Sequence, residues 1–406
     1  MAIKIDFDKK TRRAAVSEPE SVSSLVRGHY GVMRRGTITL YPEETLYLMD
    51  IRNAAASGAK NEQYRFNQIA ALLASDKLMA RYFTYKDWRD RGLVARPSHE
   101  VAGNFGKDKV KKYTSARFSL KKCKATGLFF PDDLVTLIDD EEEGRKLYQD
   151  HWIGQFATYK AEQRGKLSKL DIYETVFMSK HAKLKVVMQK IGKTGAKPSN
   201  PKSISLKQIV GIARKARPDF DLMYEVYEDW RLRGYIVKTG FKFGCHFRLY
   251  LPHASPKMEG KEWVHSKHVI QVFPRHTVML ISEWARAIRV AHSVKKTFIL
   301  AIPGKGAKAR AKGAQGGLDF ALFHRKNNGI ENPKDDSPTY MMLSLSEEEY
   351  IGGQQLAASI EACKSLGLDL MMAIADRETA VTYYSVKRLE LPSSKYEYYE
   401  IEWEQP

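Results

Sequence analysis

A phenol, an imidazole and an ammonium stand at Tyr250, His265 and Lys296, inside a stretch that reads as strand, strand, long helix, strand. Its segments are HFRLY at 246–250, HVIQVF at 268–273 and ARAIRVAHSVKKTFILAI at 285–302. A fainter copy follows in the same order: DFALF at 319–323, YMMLSL at 340–345 and AASIEACKSLGLDLMMAI at 357–374. The comparison sets Tyr250 opposite Phe323, His265 opposite Ser337 and Lys296 opposite Leu368. Both the His265–Lys296 and the Ser337–Leu368 separations are 31 residues, so the register holds. Three proton-handling groups in one copy have no working equivalents in the other. One copy is expected to do chemistry and the other to be scaffold.

Such a trio, with no metal, suits transesterification of RNA. One group takes the proton from the ribose 2′-OH and another protonates the departing 5′-oxygen. The third stabilises charge on the phosphorane-like transition state. Histidine is the natural acid near neutrality and lysine the natural fixed charge. Tyrosine is the awkward member, since only about 0.1% of an unperturbed phenol is ionised at pH 7. Nearby cations would have to lower its pKa for it to serve as the base. Arg289, seven residues before Lys296 with His292 between them, shares a helical face with that segment if the helix runs so far. An arginine there can stack on an unpaired base and hold a phosphate.

Other constellations fail on geometry. Six of the eleven histidines (His246, His253, His265, His268, His276 and His292) fall within 47 residues. His265 and His268 are expected at the start of a strand, where a spacing of three sends side chains to opposite faces. No cysteine or carboxylate pair completes a ligand set, so no metal or other cofactor is expected. Gly192-Lys193-Thr194 lacks the first glycine of a phosphate-binding loop, that place being Val187. The run Asp139 to Glu143 reads as a solvated helix face.

The chain has 406 residues, enough for two to four domains, and 43% apolar content excludes disorder for most of it. Its 67 Lys and Arg against 48 Asp and Glu leave +19, which points to a polyanionic partner. The segment 317–406 holds 8 basic and 16 acidic residues, a net of −8, so the remainder carries +27. Three scattered cysteines suit a reducing cytoplasm. The charged start MAIKIDFDKK has no apolar signal region, and the apolar runs are strand-sized, so no membrane association is expected.

A second repeat organises the first half. TYKDWRDRGLVARPS at 84–98 resembles VYEDWRLRGYIVKTG at 226–240, each a helix closed by Arg-Gly and followed by a strand. YPEETLYLMD at 41–50 resembles LDIYETVFMSK at 170–180. The second copy carries an extra loop at 190–203, and GKGAKARAKGAQGG at 304–317 reads as a linker. The fold class is therefore α/β (mixed α+β), with duplicated small N-terminal α/β modules. Two copies of a nuclease-like C-terminal module follow, each a sheet flanked by helices.

YEDWRLRGYIVKTGFKFGCHFRLY at 227–250, HSKHVIQV at 265–272 and RVAHSVKKTFILAI at 289–302 closely resemble the archaeal tRNA-splicing endonucleases. HYG at 29–31 with LYPEETLYLMD resembles their N-terminal domain. The order of units resembles the three-unit, epsilon-two type, which pairs as a homodimer. That implies a degenerate N-terminal pseudo-subunit at 1–115, the catalytic unit's N-terminal domain at 116–203 and its catalytic domain at 204–303. A linker at 304–316 and a degenerate structural unit at 317–406 complete the plan. The resemblance implies Tyr250 as general base, His265 as general acid and Lys296 as transition-state stabiliser. It implies a precursor tRNA partner, cut without metal at a bulge-helix-bulge to 2′,3′-cyclic phosphate and 5′-hydroxyl ends. Arg289 matches an arginine that clamps a bulged base. The Tyr250–His265 interval is longer than the family's, which sets His268 and His253 beside His265 as candidates. Asp376 and Glu378 best match an acidic assembly loop, with Asp335 and Asp336 competing. The Lys-rich stretch 107–124 and the loop at 190–203 are candidates for further RNA contacts. The alternative from another class is a non-catalytic RNA-binding or assembly subunit.

Overall fold

Alternation builds the first sheet. In Lys4–Asp8 the odd residues Ile5 and Phe7 face inward and the even ones outward, as a half-buried strand requires. The computed structural model describes residues 3–59, 62–189, 200–259, 262–304, 317–326 and 329–406. Residues 305–316 of the linker and 190–199 of the loop at 190–203, Gly192-Lys193-Thr194 included, lie outside the described residues.

The fold is mixed α+β. A six-stranded sheet runs in the order Val32–Arg34, Thr37–Leu40, Arg13–Val16, Lys4–Asp8, Ala55–Ser57, Gln63–Tyr64. A second has the same order and sense: Gln155–Phe156, Ser168–Leu170, Val135–Ile138, Thr126–Phe130, Lys185–Met188, Lys202–Ser203. In each, the third and fourth strands in this order pair antiparallel and the fourth and fifth pair parallel. The helices Leu78–Asp90 and Phe220–Leu232 end as read, with Gly92 and Gly234 just beyond at φ 78° and 85°.

An eleven-stranded sheet dominates the rest of the molecule. From one edge it runs Ile236–Thr239, Phe247–Tyr250, His268–Val272, Thr297–Ile302, Glu397–Glu404. It continues Val381–Glu390, Asp369–Ala375, Tyr340–Ser346, Phe320–Phe323 and ends on Val94–Pro97, with Val110–Lys112 paired beside Val381–Glu390. The two edge strands each follow the long helix of a small module. The register sets Ile236 opposite Tyr250 and Val94 opposite Phe323, and Leu249–His268–Thr297 matches Leu322–Tyr340–Asp369. Lys296 and Leu368 stand one step before Thr297 and Asp369, so two of the pairs aligned from sequence, Tyr250 with Phe323 and Lys296 with Leu368, occupy matching places in the register.

The linear reading lists 1–115 and 317–406 as separate units, yet the two pack as one body. Val94–Pro97 completes the sheet of the C-terminal segment, and one core joins Trp88, Tyr85 and Leu46 to Phe320, Met371 and Tyr383. A helix alone cannot bury its apolar stripe, and the sheet face made by the distant segment supplies the cover. The stretch 107–124 is also more engaged than a solvated loop. Lys107 pairs with Glu331 at 3.1 Å and Lys111 with Glu400 at 2.6 Å.

Candidate active site

Tyr250 ends its strand and is 4% exposed. Its ring packs on Trp152 at 4.4 Å between centroids, and the Arg248 guanidinium lies 5.5 Å from the ring centre. Trp152 comes from the second small module, at a left-handed helix cap with φ 47°. Buried Glu174 fixes that loop. It accepts from Gly154 N at 2.9 Å and from Lys238 Nζ at 2.6 Å, while Lys238 also donates to Gly154 O at 2.8 Å. Lys238 belongs to the edge strand beside Phe247–Tyr250, so one buried ion pair sets where Trp152 meets Tyr250.

Lys296 follows the end of the helix Ile281–Ser293, across a turn whose Lys295 has φ 54°. It therefore stands off the helix and does not share its Arg289 face, contrary to the spacing argument. Its Nζ donates to Ser266 O at 2.5 Å and sits 4.9 Å from the Phe243 ring centre. His265, beside Ser266, is exposed and precedes the strand, which begins only at His268. The expected start of that strand at His265 is thus three residues early. Before it, Met258–Glu259 and Glu262–Trp263 pair with each other and not with the large sheet.

Adjacent strands bring these residues together. Lys267 N donates to Leu249 O at 3.0 Å, and Thr297 N donates to Lys267 O at 3.1 Å. Tyr250, Lys267 and Lys296 therefore stand at one level on three neighbouring strands. Their Cα atoms are spaced so that Tyr250 and Lys296 lie roughly 10 Å apart, at about 4.8 Å per strand. Arg248, two residues before Tyr250, shares its face. Its Nε is buried without a hydrogen-bond partner among the described residues.

Electrostatics follow from this crowding. Burial raises the Tyr250 pKa; Arg248 pulls it down and Tyr159 pushes it up, and burial prevails. The expected cationic lowering of the phenol is thus not met in the free protein. Burial lowers the Lys296 pKa, and the like charges of Arg248 and Lys267 lower it further. Three cations facing one spot are unfavourable without an anion between them, and a phosphodiester would relieve the repulsion.

His268 is in a different state. Its ring lies 5.3 Å from that of Tyr113, whose hydroxyl is 3.4 Å from Nδ1. Burial first, then Lys111, Lys267 and Lys296, push its pKa down to about 4. Such a group stays neutral near pH 7 and is a poor proton donor. The unfolded chain protonates this histidine near pH 6.5, while the folded one refuses the proton until about 4. Its stabilising effect is therefore complete above about pH 6.5 and lost as pH falls to about 4, amounting to about 3 kcal/mol at most. Thermal unfolding from pH 7 to 4 should show a smaller loss in His268→Phe than in wild type. Equal losses would refute this account.

The remaining sequence candidates are spread apart. Arg289 is exposed on the last turns of its helix, and its charge is felt at the buried Tyr384 hydroxyl. Asp376 and Glu378 lie exposed in the turn between Asp369–Ala375 and Val381–Glu390. The Asp376 carboxylate caps that turn, accepting from Glu378 N and Ala380 N at 2.9 Å each. Asp336 is held by Lys326 at 2.6 Å, and Asp335 by Asn332 Nδ2 at 2.8 Å. Among the described residues no three His, Cys, Asp or Glu side chains converge as a metal would need. No helix among them is long and apolar enough to cross a membrane. Sequence reasoning missed Arg248, Lys267 and Trp152. The period of two along a strand could have found Arg248, whereas nothing local announces Trp152.

Residues 220–311 match the family model described as tRNA intron endonuclease, catalytic C-terminal domain. The chain is 32% identical over 162 residues to the tRNA-splicing endonuclease of Methanopyrus kandleri, covering 39% of this chain and 80% of that protein. It is 29% identical over 178 residues to that of Pyrobaculum islandicum, covering 42% and 88%. With the Thermococcus onnurineus protein of the same name it shares 30% over 162 residues, covering 40% and 80%.

Proposed function

Since the chain belongs to the archaeal tRNA-splicing endonuclease family, we propose that it excises introns from precursor tRNA by metal-independent transesterification at bulge-helix-bulge junctions. The observation that carries this reading is the level line of Tyr250 and Lys296 across neighbouring strands, with His265 beside the peptide that Lys296 grips. In the proposed step the 2′-oxygen attacks phosphorus as Tyr250, in its phenolate form, takes the 2′ proton. A bond forms from the 2′-oxygen to phosphorus and the bond from phosphorus to the 5′-oxygen breaks. His265 gives its proton to that 5′-oxygen, and Lys296 faces the extra charge on the non-bridging oxygens. The products are a 2′,3′-cyclic phosphate and a 5′-hydroxyl.

The raised phenol pKa makes the phenolate scarce and strongly basic, so at low pH the rate climbs as pH rises. Arg289 is the proposed clamp on a bulged base. Both intron ends need cutting, and a homodimer with one site per chain holds two sites at fixed separation. The exposed turn with Asp376 and Glu378 is the proposed assembly loop. The same strand order in both small sheets, and matched register in both halves of the large one, support the reading as duplicated units. The three-unit plan, with 1–115 and 317–406 as degenerate units around the catalytic one, and a cytoplasmic setting complete the proposal.

The test is cleavage of a bulge-helix-bulge RNA by the wild type in EDTA, with product ends analysed. Cyclic phosphate ends, and no cutting when the scissile position is 2′-deoxy, are expected. Activity abolished by EDTA, or cutting of the 2′-deoxy substrate, would overturn the mechanism.

A further inference from the structure

The first small module carries an open cleft whose counterpart in the second module is covered. Shared hydrogen bonds establish the correspondence. Arg89 donates to Gly28 O at 2.7 Å and Leu93 O at 3.4 Å, as Arg231 donates to His151 O at 2.9 Å and Tyr235 O at 3.3 Å. In the second module the segment around Thr114 and Ala116 lies over this surface. Ala116 N donates to Arg233 O at 3.0 Å, and Tyr235 OH to Thr114 O at 2.9 Å. A Cβ on Gly234 would stand 2.9 Å from that of Ala116, whereas one on the equivalent Gly92 would meet nothing within 4 Å.

What the missing cover leaves is a cleft of 380 Å³. It is lined by Arg27, Arg52 and Arg89, with His29 and the Tyr30 ring. Arg27 and Arg52 are exposed and make no ion pair with any described residue. Arg89 lies over Tyr30 at 4.2 Å, which holds its guanidinium in place. The one carboxylate in the lining, Glu331, is already engaged by Lys107 at 3.1 Å, by Thr339 and by His324 N. Burial, then Arg89 and other nearby cations, lower the His29 pKa, so this ring offers hydrogen bonding rather than charge. The lining thus has an excess of positive charge: three arginines face one carboxylate, Glu331, which is itself held by Lys107, and Asp335 is felt only weakly at His29 behind the cations.

We propose that this cleft grips the phosphodiester backbone of the RNA substrate, so that the non-catalytic unit holds what the catalytic unit cuts. The inference rests on the reading of the chain as an RNA-cutting enzyme. Planar guanidinium forks match phosphate oxygens, and the chain outside 317–406 carries +27. Val94 lines the cleft and pairs with Phe323, the register equivalent of Tyr250. The grip therefore sits beside the place where the degenerate copy would have cut.

The experiment compares the full-length wild type with Arg27→Ala/Arg52→Ala, two exposed positions. Binding is measured from 50 to 300 mM salt (roughly the range where phosphate contacts report), using a precursor tRNA with 2′-deoxy scissile positions and an unrelated structured RNA. Phosphate contacts carry no sequence information, so both RNAs should bind about tenfold more weakly, with the salt slope reduced by roughly 1 to 2. Unchanged affinity and slope for both RNAs would overturn the proposal. Unchanged RNA binding with loss of the dimer would overturn it in favour of an acidic turn from a second copy. Failure of the wild type to cut bulge-helix-bulge RNA would sink the enzymatic reading separately, because the binding comparison uses uncut RNA.

Discussion

His265→Ala should slow single-turnover cleavage of a bulge-helix-bulge RNA by roughly 10²- to 10⁴-fold, the usual contribution of a placed acid. His265 is exposed and hydrogen-bonds to no other described residue, so its loss leaves the fold intact. The neighbouring peptide is gripped by Lys296, which keeps the backbone there in place when the imidazole is removed. A substrate with sulfur at the 5′ bridging position provides the decisive comparison. A thiolate leaves without a proton, so that substrate should restore His265→Ala and not Tyr250→Phe. Full activity of His265→Ala with the natural substrate, or no restoration by sulfur, would move the acid elsewhere. His268→Ala is the control: with a pKa near 4 and its ring against Tyr113, this residue should not show the sulfur effect.

Lys296→Met should lose about 10²- to 10³-fold in the cleavage step, the range seen when one charge-stabilising donor is removed. It should also melt at or above the wild-type temperature. Arg248 and Lys267 repel a buried Lys296, and burial itself disfavours its charge, so the free protein gains when that charge is deleted. Methionine gives up the Nζ contact with the Phe243 ring and sets a thioether against that ring in its place. If the proposed reading holds, like charges gathered for a phosphate repel one another without it, and relieving that repulsion trades activity for stability. Single-turnover rates and calorimetric melting, measured on the same preparation, check both halves. A lower melting temperature with an unchanged rate would mean that Lys296 is a structural residue.

Much of the scaffold was legible in the chain. The apolar/polar alternation of HFRLY, the strand-sized apolar run TFILAI and the Arg-Gly ends of the two long helices predict elements that the fold contains, because period, run length and capping are local physics. The 31-residue spacing aligned Tyr250, His265 and Lys296 with their counterparts, and the strand register agrees for Tyr250 with Phe323 and for Lys296 with Leu368. The point where Lys296 leaves the helix was less legible. A left-handed turn at Lys295 ends the helix, and lysine does not announce such a turn as glycine would.

Residue types and spacing by themselves nominated three side chains for one chemistry, since ionisable chemistry belongs to the residue, and put Tyr250 and Lys296 at positions that the strand register sets level. Tertiary structure alone decided their state. Whether Tyr250 is easier or harder to ionise depends on burial under Trp152 weighed against Arg248, contributed by distant and near segments respectively. The joining of the first hundred residues to the last ninety was likewise invisible. An edge strand such as Val94–Pro97 states that it must pair, but its hydrogen bonds do not say with whom, and only the folded chain supplied Phe320–Phe323.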